Sequence, residues 1–418
     1  MLRVVHVTHG YPPARGGSEV LMQHLSETLV QQHGYEVTVL TTNCYNTEGF
    51  WRFGRPKMLA GESVVNGVTV RRFDVPRSAG TLLRYPQGLL NALRLPGREQ
   101  VRTWFQGPIM PGLKAAIHAL RPDVIGLTAF PLLHMYQGLA IAQQMGVPCY
   151  MIGSIHPEDV WGFDRQMIYD AIRQCDAYAA HTQFEANYVI GRGADPQKVH
   201  VVGVGTDPMP YATVSRDEAR ARYGFGDSPV IGFVGQLAEH KGIAALLDAM
   251  PMVWAQFPTA QLLLAGAWTS YAEVIEQRLA SEPLVLYRGN IHLKYNFDEA
   301  EKPYLFRAMD VFAYPSGFES FGVAYLEAWA AGVPVIGSTQ GAIPWVVSGG
   351  RDGLLVPFGD AAALAGAIEV LLGNPRWAAE LGAAGREKLL AHYTWQRIGE
   401  KTAAHYARLV AAFRERAR

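Results

Sequence analysis

Short apolar runs that alternate with helical stretches set the strongest limit on how this chain can fold. The first run, LRVVHVTHG, is followed by the helical pattern SEVLMQHLSETLVQQHG and then by the strand-like EVTVLTT. Similar runs recur at PDVIGLTAF, VPCYMIGSIH, DAYAAHT and KVHVVGVGTD. Because strands joined by helices pair in parallel and are buried on both faces, the first half predicts an α/β fold with a parallel sheet.

A second set of the same kind begins after a break in the pattern. It contains the helix IAALLDAMPMVWAQF and the strand-like runs SPVIGFVG, AQLLLAG, LVLYRGN, DVFAYPS and VPVIGS. The full length of 418 residues also exceeds what one hydrophobic core usually supports. We therefore predict two Rossmann-like domains, residues 1–205 and 206–395, with the boundary after Gly205, where Asp207, Pro208 and Pro210 interrupt the pattern. Residues 396–418 predict a final helix with a basic end that returns to the first domain.

The charge distribution limits the partners. Lys plus Arg and Asp plus Glu both number 37, which argues against a nucleic-acid-binding protein. Between residues 52 and 121, however, twelve Lys and Arg stand against three Asp and Glu, a net charge of +9. Within residues 84–121, leucines and aromatic residues are mixed with arginines, a composition that suits an anionic membrane surface. The alternative is that these leucines belong to the core.

The cysteines and the apolar runs indicate the compartment. Cys44, Cys149 and Cys175 are widely spaced and predict neither a disulfide framework nor a zinc site. The first residues lead directly into a strand, and no run reaches the length of a membrane span. We expect a cytoplasmic protein, or one that lies peripherally on the inner face of the membrane.

The stretch GFESFGVAYLEAWAAGVPVIGS carries the clearest chemical signal, because it places two carboxylates, Glu319 and Glu327, around a helix start. A helix that begins near Ser320 would separate them by roughly 12 Å, about the reach of a nucleoside diphosphate sugar from hexose to ribose. The free N–H groups at such a helix start attract a diphosphate. The groups in question belong to Phe321, Gly322 and Val323. The alternative for Glu319 is an acidic residue that only stabilises the helix start.

In each predicted domain, one further motif follows the first strand. Lys241, in FVGQLAEHKG, could neutralise the charge of a departing nucleoside diphosphate, unless it is only a solvated surface lysine. Gly16 and Gly17, in YPPARGGSEV, open the first helix and would let the backbone approach a ligand closely. A tight loop without a ligand is the alternative for this pair.

The motifs in this order resemble the retaining glycosyltransferases of family 4. PSGFESFGVAYLEAWAAGVPVIGS resembles the E-x7-E signature of that family, and FVGQLAEHKG resembles its phosphate-binding loop. The resemblance spans nearly the whole chain. It implies the GT-B fold, in which two Rossmann-like domains have parallel sheets facing a central cleft. The first domain would bind the acceptor and the second would bind the nucleotide-sugar donor.

The resemblance also implies roles for individual residues. Glu319 would contact the donor hexose, Glu327 the ribose and Lys241 the diphosphate. His156, which follows the strand CYMIGSI, would hydrogen-bond the donor sugar from the first domain. The Gly16–Gly17 loop is implied to contact either the donor phosphate or the acceptor. Ile291 is implied to contact the nucleobase of the donor through its main chain. We interpret His6, His9 and His181 as packing or loop residues.

Two positions depart from the family pattern. The family usually has an arginine five residues before the lysine, and here that donor-binding position is Gln236, which carries no charge. The family commonly has an acidic residue after the proline at position 344, and here it is Trp345, for which core packing is the expectation.

Transfer of a hexose with retention of configuration is the activity that the resemblance implies. The donor would be a UDP- or GDP-sugar and the acceptor a glycan, a lipid-linked glycan or a small molecule. No cofactor is expected, and because the chain has no Asp-x-Asp pair, no metal ion is required. One alternative is a non-catalytic module that binds sugar nucleotides or glycans, suggested by Gln236 and Trp345. A nicotinamide-dependent oxidoreductase would need a GxGxxG loop after the first strand, and HGYPPARGG lacks that spacing.

Overall fold

A computed structural model describes residues 1–416, which form two compact α/β units. The first unit contains Met1–Gly203 together with the helix that begins at Trp395, and the second contains Val204–Thr394. Each unit has one sheet with helices packed on it. The predicted fold class, two Rossmann-like α/β domains, is confirmed.

The sheet of the first unit has eight strands in the order β3-β4-β2-β1-β5-β6-β7-β8. The strands are β1 (Arg3–Val7), β2 (Glu36–Thr42), β3 (Gly61–Val65), β4 (Val68–Phe73), β5 (Val124–Thr128), β6 (Cys149–Ile152), β7 (Ala177–Ala180) and β8 (Val199–Val201). All neighbours pair in parallel except β3, which is antiparallel to β4. This edge hairpin was not predicted from the sequence, although its turn, Asn66-Gly67 with φ of 49° and 86°, is a typical hairpin signal.

Helices cover both faces of this sheet because its central strands are buried along nearly their whole length, as in β5, where all five residues are buried. The helices are α1 (Gly17–His33), α2 (Arg77–Ala92), α3 (Arg98–Gln106), α4 (Leu113–Leu120), α5 (Leu133–Met145), α6 (Val160–Phe163), α7 (Gln166–Gln174) and α8 (Gln183–Gly191). The chain order reverses between β1 and β5, because β2 lies on one side of β1 and β5 and β6 lie on the other. Such a reversal leaves a crevice at the edge where parallel strands end, the carboxyl edge of the sheet.

The sheet of the second unit is entirely parallel, with the strand order β11-β10-β9-β12-β13-β14. Its strands are β9 (Val230–Val234), β10 (Gln261–Gly266), β11 (Ile291–Tyr295), β12 (Val311–Ala313), β13 (Val335–Ser338) and β14 (Gly353–Val356). Its helices are α9 (Met209–Thr213), α10 (Arg216–Tyr223), α11 (Ile243–Gln256), α12 (Ser270–Leu279), α13 (Lys302–Ala308), α14 (Val323–Ala330), α15 (Ile343–Val346), α16 (Ala361–Gly373) and α17 (Pro375–His392). The chain order reverses between β9 and β12, so this unit also has a crevice at its carboxyl edge.

One predicted strand is wrong. Residues 284–290, LVLYRGN, form 3₁₀ turns, and the strand β11 begins only at Ile291. In these turns Leu284 is buried, whereas Leu286 is 74% exposed. An apolar run of this length does not distinguish a strand from helical turns, and here only part of the run enters the core.

The last helix, α18 (Trp395–Arg416), belongs to the first unit, where it packs against α1. Tyr406 lies fully buried on this helix, and its hydroxyl is 2.9 Å from Nε2 of His6 in β1. Near its end, Arg414 donates a 2.9 Å hydrogen bond to Asp123. The core of the first unit is therefore completed by residues that are about 400 positions apart in sequence.

Candidate functional site

Two loops meet at the carboxyl edge of the second unit, beside the reversal between β9 and β12. The first loop follows β9 and ends in a 3₁₀ turn, Glu239–Lys241. The second follows β12 and leads to α14. They are joined by a 2.7 Å hydrogen bond from Gly317 N–H to the His240 carbonyl and by stacking of the His240 ring on Phe318, with centroids 4.5 Å apart.

Gly242, between the 3₁₀ turn and α11, allows the close approach of these loops. Its φ is +75°, and a Cβ at this position would lie 2.1 Å from the carbonyl oxygen of Pro315. Both observations require glycine, because other residues avoid this backbone conformation and would clash with Pro315. The glycine after Lys241 thus allows the Glu239–Lys241 turn to pack closely against the loop that carries Glu319.

Lys241 and Glu319 form an ion pair where the loops meet. Lys241 Nζ lies 2.6 Å from Glu319 Oε1, and the two side chains are only 13% and 12% exposed. The ammonium also lies 5.7 Å from the centre of the Tyr314 ring. Burial and the charge of Glu319 raise the pKa of the Tyr314 hydroxyl well above its usual value. The structure therefore brings together the predicted lysine and the first predicted carboxylate.

The helix after Glu319 begins later than predicted. We predicted a start near Ser320, but α14 begins at Val323, preceded by Gly322 with a φ of 89°. Phe321 is buried and Glu319 lies in the loop, so the spacing argument based on one continuous helix is wrong. Within residues 1–416, no acceptor is found for the backbone N–H groups of Gly322 and Val323 at the helix start. These groups remain suited to an anion.

Glu327 lies in the second turn of α14 and is nearly buried. Its Oε1 accepts a 3.0 Å hydrogen bond from Nζ of Lys302, and the Tyr211 hydroxyl lies close to the same carboxylate. Burial alone would lower the pKa of Lys302, but the charges of Glu327 and Glu299 raise it. Burial and the Glu327 charge likewise raise the pKa of Tyr211. Lys302 and Tyr211 were not predicted, because neither lies in a motif and only the fold brings them to Glu327.

Three other predicted positions in this unit have surroundings that the sequence did not indicate. Gln236 is exposed in the loop after β9. Trp345 is 49% exposed, so the core-packing expectation is wrong. Ile291 is buried at the amino end of β11, where its carbonyl accepts a 3.1 Å hydrogen bond from Arg288. Its predicted nucleobase contact assumed a strand that ended at Asn290, and that premise is wrong.

In the first unit, the glycine loop at the start of α1 is packed against a carboxylate of its own helix. Glu19 is 6% exposed, and its Oε1 lies 3.1 Å from Nε2 of His9 at the end of β1. A Cβ on Gly16 would lie 2.5 Å from Oε2 of Glu19, whereas one on Gly17 would meet no atom within 4 Å. Burial would raise the pKa of Glu19, but the hydrogen bond and charge of His9 lower it. Gly16 is therefore needed for internal packing, and Gly17 is the position open to a ligand.

His156 lies in the loop that follows β6, at the carboxyl edge of the first unit. A buried carboxylate holds this loop: Glu185 Oε1 accepts 2.9 Å hydrogen bonds from the N–H groups of Ser154 and Ile155. The same carboxylate accepts hydrogen bonds from the Tyr178 hydroxyl and from the N–H of His181, each 2.7 Å long. Sequence reasoning missed Glu185, because nothing in its motif distinguishes it from a surface residue of α8.

Two family comparisons match this chain. Residues 15–209 match Glycosyltransferase Family 4, and residues 228–374 match Glycosyl transferases group 1. The two matches cover most of the chain, one in each half.

Individual proteins agree with these matches. A GDP-mannose-dependent alpha-(1-6)-phosphatidylinositol monomannoside mannosyltransferase of Mycolicibacterium smegmatis is 28% identical, over 95% of this chain and 96% of that protein. A glycogen synthase of Mycobacterium tuberculosis is 26% identical, over 97% and 94%.

Among solved structures, sucrose-phosphate synthase from Thermosynechococcus elongatus superposes with a TM-score of 0.74 at 23% identity, covering 99% of this chain and all of that chain. HepE from Anabaena, in complex with UDP and glucose, superposes with a TM-score of 0.71 at 18% identity, covering 97% of this chain and all of that one. At such identities the superpositions show the fold. The two family matches show that the chain belongs to the glycosyltransferases of family 4, and the superpositions show that it has the GT-B fold.

Proposed function

We propose that this protein transfers a hexose from a nucleoside diphosphate sugar to an acceptor hydroxyl with retention of the anomeric configuration. The second unit would bind the donor and the first unit the acceptor. The observation that carries this proposal is the Lys241–Glu319 pair at the carboxyl edge of the second sheet. A cation and a carboxylate at this edge, beside the N–H groups that precede α14, are the groups that a charged diphosphate and a polar hexose require.

The chemistry follows from the charge that develops as the donor reacts. The bond between C1 of the hexose and the diphosphate oxygen breaks, so negative charge grows on the leaving group. Lys241 and the N–H groups of Gly322 and Val323 would stabilise that charge more in the transition state than in the ground state. The acceptor oxygen then bonds to C1 on the same face, and its proton passes to the departing phosphate oxygen. Glu319 would orient the hexose hydroxyls, Glu327 would hold the ribose and His156 would contact the sugar from the first unit.

The expected donors are GDP- and UDP-sugars. The mannosyltransferase of Mycolicibacterium smegmatis, which matches this chain over nearly its full length, is GDP-mannose-dependent, and HepE was solved with UDP and with UDP-glucose. We propose that no metal ion or cofactor takes part, because the Lys241 ammonium and the backbone N–H groups supply positive charge where the diphosphate would lie.

Donor turnover tests the proposal. Purified protein is incubated with GDP-mannose or UDP-glucose and a panel of glycoside acceptors, with and without EDTA, and released nucleoside diphosphate is measured. We expect release with at least one donor, no effect of EDTA, and an α-linked product from an α-linked donor by proton NMR. Glu319→Gln should lose the activity, and Asp248→Asn, which alters the exposed ion pair with Arg278 in the same unit, should not. Binding of nucleotide without turnover would instead favour a non-catalytic module.

We also propose that the acceptor is presented at an anionic membrane surface beside the first unit. Helix α2 and the residues after it expose one apolar face formed by Leu82, Tyr85, Leu89 and Leu93, which are 59% to 81% exposed. The core interpretation of these leucines is therefore wrong. Residues 77–98 contain four arginines and no acidic residue, which complements anionic lipid. Arg102 is excluded from this surface because it is only 6% exposed.

Vesicle sedimentation tests the membrane contact. Within residues 1–416, no helix is both long and apolar enough to cross a bilayer. We expect sedimentation with vesicles that contain phosphatidylglycerol, weaker sedimentation with pure phosphatidylcholine, and loss of both with the double variant Leu82→Ser and Leu89→Ser. Equal sedimentation of wild type and variant would contradict this contact.

A further inference from the structure

The loop that follows His156 carries an exposed tryptophan that the proposed chemistry does not use. Trp161, in the short helix α6, is 62% exposed, and its neighbour Val160 is 61% exposed. Two neighbouring apolar side chains exposed together form a small apolar patch that a ligand could cover. It lies five residues after His156 at the carboxyl edge of the first sheet, where ligands of open α/β sheets bind.

Buried arginines hold this indole in a fixed orientation. The guanidinium carbon of Arg102 lies over the Trp161 ring, 3.1 Å from its centroid, and Arg102 also donates a hydrogen bond to the Trp161 carbonyl. Arg165, only 2% exposed, lies on the other end of the loop and donates a 2.7 Å hydrogen bond to Gln106. Because Arg102 covers one face of the ring, the exposed area belongs to the opposite face and the rim.

The rest of the loop is equally well anchored. Asp159 accepts a 2.7 Å hydrogen bond from the N–H of Gly162, which closes the turn around Trp161. The ring of Phe163 packs edge-on against His156, with centroids 5.3 Å apart. An indole fixed in this way loses little conformational entropy when a ligand stacks on it.

We infer that Trp161 is a stacking platform for the pyranose ring of the acceptor, a subsite that rests on the proposed glycosyl transfer. A pyranose has an apolar C–H face, which would cover the open face of the indole, and a rim of hydroxyl groups. The side chains of Glu158 and Asp159 are exposed beside Trp161 and can accept hydrogen bonds from such hydroxyls. The same two carboxylates repel an anionic lipid surface, so a sugar is the better match to this patch than a membrane.

Fluorine NMR of the full chain tests this subsite directly. The nine tryptophans are replaced by 5-fluorotryptophan, and the resonances of Trp161 and Trp104 are assigned with Trp161→Phe and Trp104→Phe. Trp104, 45% exposed on α3, is the matched control. Methyl α-D-mannopyranoside, methyl α-D-glucopyranoside and, separately, phosphatidylglycerol vesicles are titrated in. A saturable shift of the Trp161 resonance with a glycoside, and none at Trp104, is the expected result.

Two outcomes would overturn the inference. One is a Trp161 resonance that neither glycoside moves, or that moves no more than Trp104. The other is a Trp161 resonance that responds only to vesicles, which would make the loop a membrane contact. Covering one indole face is worth about tenfold in affinity, so Trp161→Ala should weaken glycoside binding in saturation-transfer experiments by about that factor. The titration needs no donor and no turnover, so its failure is distinct from a failure of the nucleotide release assay.

Discussion

The two units both place carboxylates at the carboxyl edge of a sheet, but they give them different partners. In the first unit, Glu185 is bonded to three backbone N–H groups and a buried tyrosine hydroxyl. In the second unit, Glu319 and Glu327 are bonded to the side chains of Lys241 and Lys302. Backbone donors are fixed parts of the fold, whereas a lysine side chain can turn from a carboxylate to another anion.

This difference separates a structural carboxylate from a functional one. Removing Glu185 would leave buried donors without an acceptor, which destabilises the fold. Removing Lys241 or Glu319 would leave a partner that is mostly buried but keeps 12% or 13% of its side chain exposed at the carboxyl edge, where water or a ligand can reach it. The comparison therefore predicts that substitutions in the first unit lower stability and that substitutions in the second unit lower activity.

The largest expected effect is that of Lys241→Ala on turnover. Loss of a cation that stabilises the leaving diphosphate should lower kcat about 100- to 1000-fold, as removal of one preorganised stabilising group commonly does. The measurement is steady-state release of nucleoside diphosphate, with unfolding in urea followed in parallel. We expect the free energy of unfolding to fall by about 2 kcal/mol, because the Glu319 carboxylate, only 12% exposed, loses its partner.

Arg278→Ala is the control for this variant, because it removes a different cation from an ion pair in the same unit. It should leave both turnover and stability near wild type. A Lys241→Ala protein that keeps its turnover but unfolds more easily would reverse the comparison and make the Lys241–Glu319 pair structural.

Glu185→Ala should have the next largest effect, this time on stability. Four donors lose their acceptor in a buried place, so we expect the free energy of unfolding to fall by about 3 kcal/mol. Urea unfolding measures this, with Glu36→Ala, an exposed glutamate in the same unit, as the control. Unchanged stability together with lost activity would show that Glu185 acts on the substrate and is not a structural residue.

These cases show which parts of the molecule can be predicted from the sequence. Strands such as β9 were predictable because all of their residues are apolar and a glycine follows them. The contact between Lys241 and Glu319 could be expected because both follow strands that the topology places side by side. Glu185 and Lys302 could not be predicted, since their roles depend on partners that are distant in sequence and leave no local pattern. The start of α14 was misplaced because Gly322 adopts a positive φ, which only the structure reveals.

The two units are also expected to differ in how much stability they lose as pH falls. In the first unit, burial lowers the pKa of His6 and His134 to about 3, and burial together with the charge of His200 lowers that of His405 to about 4. Each of these histidines binds a proton more readily in the unfolded state than in the folded state. Its contribution to the free energy of unfolding is therefore complete above about pH 6.5. As pH falls below that value, the contribution is lost by up to about 1.4 kcal/mol per pH unit. In the second unit, burial also lowers the pKa of His292.

We therefore expect the first unit to lose more protection than the second when pH falls from 7 to 5. Hydrogen–deuterium exchange of the full chain, resolved by peptide and corrected for intrinsic exchange, measures each unit separately. His134→Gln keeps a donor for the Thr128 carbonyl, which His134 Nε2 contacts at 2.7 Å, and should reduce the acid sensitivity of the first unit. Equal loss of protection in both units would mean that these histidines do not set the difference.

The smallest expected effect concerns the charge of the donor site itself. Lys241 is paired with Glu319, and Gln236, exposed in the same loop, adds no positive charge. Gln236→Arg should lower the KM for the donor about threefold at low salt, the scale of an exposed charge pair, and the gain should disappear at high salt. Gln277→Arg on α12 is the matched control and should have no effect. If Gln236→Arg instead abolishes turnover, the amide has a role of its own, and the positive charge at this site has to come entirely from Lys241 and the start of α14.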